Sequence, residues 1–205
     1  MAFHVKHSSA DALARYRALL QRYHRTLDLV SDRALADVDR LIAEAERYAE
    51  VVGRVAAGPG TLLDVGTGAG LPGLVLAVRL PAWWVVLTER RQKRASFLSL
   101  AVGQMALDNA EVVHGDAGAL KGVRAQVVVA QGVGTFAEVY RITRRAHADE
   151  VVLLSRKGPE WRLEADALAA ECAAAVAVVA EEPLGHRGTL VALRLAGGRT
   201  CPSSG

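Results

Sequence analysis

The chain has 205 residues, enough for one α/β domain with a buried core or a domain plus a small helical appendage, and too few for two full enzymes. Hydrophobic residues make up 51% and charged ones 23%, which excludes disordered, collagen-like and repeat architectures; with aromatics at only 5%, the core must be aliphatic, as suits a parallel sheet covered by Ala/Leu-rich helices. A net charge of +3 is too mild to name a partner, no apolar run reaches the roughly 18 residues of a membrane span, and Cys172, Cys201 and six scattered histidines offer no metal-ligand spacing.

The positive charge is gathered at the front. Residues 1–25 carry Lys6, Arg15, Arg17, Arg22 and Arg25 against Asp11, with His4, His7 and His24 nearby. The opening MAFHVKHSS lacks the apolar stretch of a signal peptide, so a cytoplasmic address is expected. Leu13, Tyr16, Leu20, Tyr23 and Leu27 alternate by three and four and so share one helical stripe, with Ser8 and Asp11 able to cap its start. Arg15, Arg22 and Arg25 fall on the opposite face, where they are either solvated or in contact with phosphates. A second helix is expected over 34–56, ended by Gly58-Pro59-Gly60, which makes 1–58 a helical appendage.

Beyond Gly60 short aliphatic runs alternate with amphipathic stretches. Strands are expected at 61–65, 84–88, 110–113, 126–130, 150–154, 176–180 and 189–194, with helices at 71–80, 90–106 and 134–148. Such alternation implies right-handed crossovers and a mostly parallel sheet. The last two runs are separated by Pro-Leu-Gly-His-Arg-Gly, too short for a crossover helix, so they should pair antiparallel. The expected domain runs over 59–198, with a tail at 199–205.

The segment with most chemical content is Leu63-Asp64-Val65-Gly66-Thr67-Gly68-Ala69-Gly70-Leu71-Pro72-Gly73, a glycine-rich turn between a first strand and a helix. Such a turn lets a ligand approach the backbone. The glycines run 66, 68, 70 with Leu at 71, unlike the dinucleotide fingerprint, and Asp64 stands two residues before the first of them. Acid-x-Gly-x-Gly-x-Gly suits S-adenosylmethionine, which has no pyrophosphate and carries an ammonium that wants a carboxylate and carbonyls. Glu89, closing the second strand, is placed to hold a ribose diol, and Asp116, after the third, to read an adenine amino group.

DVGTGAGLPG (64–73), ERRQKRASFL (89–98), VVHGDAGAL (112–120) and RKGP (156–159) resemble the GidB family, also called RsmG, of 16S ribosomal RNA guanine-N7 methyltransferases. The resemblance covers about 60 to 160 well and the N-terminal helix more loosely. It implies a Rossmann-like class I methyltransferase fold with seven strands, the last antiparallel. It also implies a cofactor site at Gly66, Leu71, Glu89 with Arg90 and the Asp116-Ala117 pair, and a basic surface facing RNA; together with the turn and strand-end residues the candidate cofactor set is Asp64, Gly66, Thr67, Gly68, Gly70, Leu71, Glu89, Arg90, Arg91, Asp116, Ala117 and Gln131. The chain departs from the family at Asp116-Ala117-Gly118, where Arg-Ala-Glu is usual, and at Gln131, where an Arg is usual; on the second helix Asp39-Arg40-Leu41 replaces a His-Phe/Leu-Leu-Asp-Ser stretch. An amide cannot neutralise a phosphate or carboxylate, so Lys157 or Arg187 is expected to take over part of the grip on the acceptor, beside Gln131 itself.

Guanine N7 bears a free lone pair and no proton, so the transfer needs positioning more than a base, and no catalytic residue is assigned. The Asp/Asn-Pro-Pro-Tyr/Phe run of adenine-N6 and cytosine-N4 enzymes is absent from Ala130-Gln131-Gly132-Val133, and neither cysteine sits where a cytosine-C5 nucleophile should. Arg90, Arg91, Lys93 and Arg94 open a helix, against its dipole, which suits contact with phosphates; Arg94 and Arg22 are the substrate-binding candidates among the basic residues. Arg141, Arg144 and Arg145 read as a solvated face, and Trp83-Trp84 as a strand start. The expected activity is methylation of small-subunit ribosomal RNA, free or in the subunit, by a monomer that releases S-adenosylhomocysteine and needs no metal. Methylation of a small molecule or another RNA, and RNA binding without catalysis, stay open.

Overall fold

The computed structural model describes residues 8–172 and 174–196. Lys6, His4, His7, Cys201 and the expected tail at 199–205 lie outside the described residues.

Helix α1 (Ser9–Leu27) starts at a capping box: Asp11 N–H donates to the Ser8 hydroxyl at 3.1 Å while Ser8 N–H donates to the Asp11 carboxylate at 3.3 Å. It stops at Asp28, which takes a left-handed φ of 50°. The predicted stripe is the buried one, with Tyr16 and Leu20 at 0% exposure. The helix expected over 34–56 is two helices, α2 (Asp32–Ala36) and α3 (Val38–Val55), broken at Asp37. The Ser31 hydroxyl caps α2 by accepting from Ala34 N–H at 3.2 Å, and aspartate, which competes with the backbone for hydrogen bonds, favours a helix start over an interior.

The alternating segment follows as β1 (Thr61–Val65), α4 (Gly73–Arg79), β2 (Trp84–Glu89), α5 (Gln92–Met105), β3 (Ala110–His114), β4 (Ala125–Ala130), α6 (Phe136–Thr143), β5 (His147–Lys157), α7 (Trp161–Glu171), β6 (Ala175–Pro183) and β7 (Thr189–Ala196). The strands form one sheet in the order β3-β2-β1-β4-β5-β7-β6. β1 to β5 pair parallel, and β7 runs antiparallel to both β5 and β6, as the short Leu184–Gly188 link requires. The helix expected over 134–148 ends early. The Thr143 hydroxyl donates to Val139 O at 2.7 Å and meets His147 Nε2 at 2.8 Å, a 3-10 turn spans Arg144–Ala146, and β5 begins at once.

Helices cover both faces. Residues of α1, α3, α4 and α5, among them Tyr16, Ile42, Tyr48, Val52, Leu76 and Leu98, share one apolar layer with Leu62, Val85 and Val127 of the sheet. Phe136 and Val139 of α6 and Trp161 and Leu168 of α7 pack on the other face against Leu63, Val128 and Leu153. The N-terminal helices are therefore part of the main core. The strand order turns back between β1 and β4, so the crevice of this sheet opens at their carboxyl ends, where the glycine-rich turn emerges. Among the described residues no helix is long and apolar enough to cross a membrane, and no His/Cys/Asp/Glu group could hold a metal ion.

Candidate cofactor and acceptor site

Strand β1 hands the chain to α4 through Gly66–Pro72, a turn held from beneath. Asp64 is 1% exposed; its Oδ2 accepts from the Thr67 hydroxyl at 2.6 Å and from Gly73 N–H at 2.8 Å. Gly73 opens α4 against this carboxylate, and a Cβ there would lie 2.4 Å from Asp64 Oδ2 and 2.2 Å from Leu87 Cδ2. Thr67 N–H donates to Thr88 O at 3.1 Å, tying the turn to β2. Thr67, Ala69 and Gly70 are buried while Gly66 is exposed and Gly68 and Leu71 half-buried, so these last three present the turn to the crevice.

Gly68, at φ 59°, is the open point of the turn: a Cβ there would find only Gly66 O at 3.8 Å and Arg94 Nη1 at 3.9 Å. Glu89, 6% exposed at the end of β2, closes the crevice. Its Oε2 accepts from Gly68 N–H at 3.1 Å and its Oε1 from Arg91 N–H at 2.8 Å. A carboxylate oxygen has two lone pairs, so each retains capacity for a ligand hydroxyl. Across β3, Asp116 is exposed and caps a 3-10 turn by accepting from Gly118 N–H at 2.8 Å, while Ala117 is buried behind it. His114 Nε2 meets Arg90 O at 3.1 Å, an ordinary loop contact.

These residues fit S-adenosylmethionine on two observations. One is the room in front of Gly68, where an added Cβ meets nothing closer than 3.8 Å. The other is Asp64 Oδ1, buried without a hydrogen-bond partner among the described residues, an oxygen that an ammonium would satisfy. Burial pushes the Asp64 carboxyl up to about 7, with the bonds from Thr67 and Gly73 pulling it part of the way back.

The residues expected to meet the acceptor lie on or just past β4, β5 and β6, with α3 packed beside them. Tyr48, buried on α3, donates its hydroxyl to Gln131 Oε1 at 3.4 Å just past β4, so the side-chain amide of Gln131 has its carbonyl turned to the protein. Four residues earlier, Glu44 is 8% exposed and receives Arg156 Nη1 at 3.0 Å and Arg187 Nη2 at 2.6 Å. Arg187 thus has its Nη2 on Glu44. Lys157 does not offer its charge to an acceptor. Its side chain is 5% exposed, and Nζ donates to Gly134 O at 2.6 Å, pairs with Glu164 at 2.7 Å and sits 4.5 Å from the centre of the Phe136 ring. The end of β5 points the lysine under the 131–135 loop, which it fastens to α7.

The basic candidates divide in the same way. Arg90, Arg91 and Lys93 are exposed, and so is Arg22, whose guanidinium lies 5.3 Å from the Tyr23 ring. Arg25 pairs with Asp32 at 3.1 Å and Arg17 with Asp39 at 2.5 Å. Arg94 turns inward, donating through Nη2 to the backbone oxygen of Asp28 and, at 3.0 Å, to its carboxylate. Residues without a sequence motif also contact the candidates or the glycine turn: Tyr16, Asp28, Glu44 and Tyr48. The one signal for Glu44 and Tyr48 is their i, i+4 spacing on the apolar face of α3, and for Tyr16 a hydroxyl on a buried stripe, which requires a partner.

The model of the GidB family, rRNA small subunit methyltransferase G, matches residues 9–189. The Ribosomal RNA small subunit methyltransferase G of Neisseria meningitidis serogroup C is 30% identical over 82% of this chain and 80% of its own length. That of Stenotrophomonas maltophilia is 34% identical over 73% of this chain and 69% of its own, and the chain spans 63% of the Bordetella petrii protein of that name, at 26% identity. Among solved structures, ribosomal protein L11 methylase from Lactobacillus delbrueckii subsp. bulgaricus superposes with a TM-score of 0.59 at 14% identity, over 75% of this chain and 79% of that one. MtNAS in complex with MTA and tNA superposes at 0.58 with 16% identity, over 95% and 71%. At such identities the likeness is one of fold.

Proposed function

The chain belongs to the GidB family of small-subunit rRNA methyltransferases, and on that premise we propose that it transfers the methyl group of S-adenosylmethionine to N7 of a guanine in 16S ribosomal RNA. The observation that carries the cofactor half is the glycine turn bound by Glu89: Gly68 N–H on the carboxylate that closes the crevice, with open space in front of Gly68. When bound, S-adenosylmethionine supplies a methyl group made electrophilic by its sulfonium. Glu89 holds the ribose hydroxyls, the Gly66–Leu71 face takes the amino acid end, Asp64 faces the ammonium and Asp116 with Ala117 borders the adenine.

Guanine N7 has no proton to lose, so the residues of the acceptor side act by position and by excluding water. Gln131, aligned by Tyr48, keeps its amide N–H groups for the base, and Lys157 holds the loop that carries Gln131. The exposed Arg22, Arg90, Arg91 and Lys93 meet phosphates of the RNA, whose charge makes binding salt-dependent. Action as a monomer, in the cytoplasm where ribosomal subunits are made, is part of the same proposal.

The test is methyl transfer from labelled S-adenosylmethionine to free 16S RNA and to intact small subunits, followed by borohydride and aniline cleavage to find 7-methylguanine. Label at one guanine N7 is the expected result, and the better of the two substrates reveals the assembly state recognised. Salt-dependent RNA binding with no transfer to either would replace this reading with a non-catalytic RNA-binding role.

A further inference from the structure

Arg94 stands in the first turn of α5 with its side chain only 19% exposed, unlike the exposed Arg90, Arg91 and Lys93 beside it. One corner of its guanidinium is anchored: Nη2 donates to the backbone oxygen and the carboxylate of Asp28, the left-handed residue that ends α1. Its Nη1 lies beside the glycine turn. Nη1 comes within 3.9 Å of the point where a Cβ on Gly68 would stand, and Nε is buried with no hydrogen-bond partner among the described residues. A buried N–H of a permanently charged group is costly to leave unmatched, so an acceptor arriving in front of Gly68 would complete the site.

The proposed cofactor carries two positive charges, the sulfonium and the ammonium, and one negative group, its carboxylate. A guanidinium held beside it weakens binding unless it meets that carboxylate, for which the planar fork of arginine is well shaped. We infer that Arg94 is the residue that binds the cofactor's methionine carboxylate, with Asp28 the positioning residue that sets the angle of the fork. A phosphate of the RNA is the poorer fit, because Arg94 is mostly covered while three neighbouring cations lie open to solvent. The inference rests on the S-adenosylmethionine reading and also links α1 to the cofactor through Asp28.

Calorimetry tests it with three nucleosides: S-adenosylhomocysteine, its carboxamide, and 5′-methylthioadenosine, which lacks the amino acid end. The unaltered chain should bind the carboxamide about tenfold or more weakly than the acid, the value of a charge-assisted hydrogen bond. Arg94→Met should abolish that preference while leaving 5′-methylthioadenosine affinity unchanged, and Arg94→Lys should restore part of it. Equal affinity of the unaltered chain for acid and carboxamide overturns the assignment without any variant. So does an equal loss of all three ligands in a folded Arg94→Met, which would make Arg94 a support for the turn, or a loss of RNA affinity alone, which would make it a phosphate contact. An unaltered chain that binds none of the three overturns the cofactor reading itself.

Discussion

The Tyr16 hydroxyl donates to the backbone carbonyl of Ala69 at 2.9 Å, joining two buried residues 53 positions apart. Through that bond α1 holds down the inner side of the glycine turn, while Asp64 and Glu89 hold its two flanks. Burial raises the Tyr16 hydroxyl well above its ordinary value, so it is a neutral donor at every working pH. Tyr16→Phe leaves the Ala69 carbonyl unmatched in the interior. It should cost about 1–3 kcal/mol of stability and weaken S-adenosylhomocysteine binding as well, read by urea denaturation and calorimetry. A loss of stability with unchanged ligand affinity would show that the turn holds its shape without α1.

Gly68→Val places a branched side chain in the space in front of the turn, at a φ of 59°. Its backbone strain should cost about 1–2 kcal/mol, and ligand binding should vanish. Gly122→Val, at φ 74° and with nothing within 4 Å of the added Cβ, imposes comparable strain away from the crevice. The pair separates strain from occupancy: calorimetry should find binding lost in the first and kept in the second.

Glu89 accepts two backbone N–H groups and, as proposed, the ribose hydroxyls. Glu89→Ala should weaken S-adenosylhomocysteine binding by about 1.5–3 kcal/mol. The more specific readout is the penalty for a 2′-deoxyribose analogue, which should be present in the unaltered chain and missing in the variant. An undiminished preference for ribose would move the diol contact to another residue.

Asp64 ties stability and binding to pH. Its carboxyl is raised from 3.8 to about 7 by burial, so between those values the folded chain holds a proton that the unfolded chain has lost, and stability falls as pH rises through this window. His147 works in the opposite sense. Burial lowers it from 6.5 to about 4, and the stability of the folded form falls as pH drops below about 6.5 because the unfolded chain gains the proton. Asp64→Asn removes the first effect only, so stability of the variant should rise from pH 4 to 7 where that of the parent is flatter. If Asp64 faces the cofactor's ammonium, affinity for S-adenosylhomocysteine should climb with pH toward 7 in the parent and stay level in the variant. Parallel pH profiles for the two chains would detach Asp64 from the ligand.

Lys157→Met removes the ion pair with Glu164 and the bond to Gly134 O beneath the 131–135 loop. The variant should be less stable by about 1–3 kcal/mol, with methyl transfer slowed through the loosened loop and cofactor affinity nearly unchanged. Unchanged stability with a slowed transfer rate in single turnovers would instead return the lysine to direct contact with the acceptor.

Much of this protein is legible along the chain, because the forces involved act between residues close in sequence. The aliphatic runs at 61–65, 84–88 and 126–130 became β1, β2 and β4, since strands covered by helices on both faces are largely apolar. The short link after Pro183 allowed only an antiparallel return, and the spacing of Asp64, the three glycines and Glu89 placed them on one turn and the strand end beside it. Tertiary structure decided which partner each polar side chain would meet. Arg94 and Lys157 carry the same kind of charge as Arg90 and Lys93, yet Asp28, 66 residues away, draws one inward and Gly134 and Glu164 cover the other. Periodicity assigns a residue to a face of its own element, but the groups opposite that face come from distant segments. The Tyr16–Ala69, Tyr48–Gln131 and Glu44–Arg187 contacts exist only because packing α1 and α3 on the sheet buries hydroxyl and carboxylate groups that must then find partners.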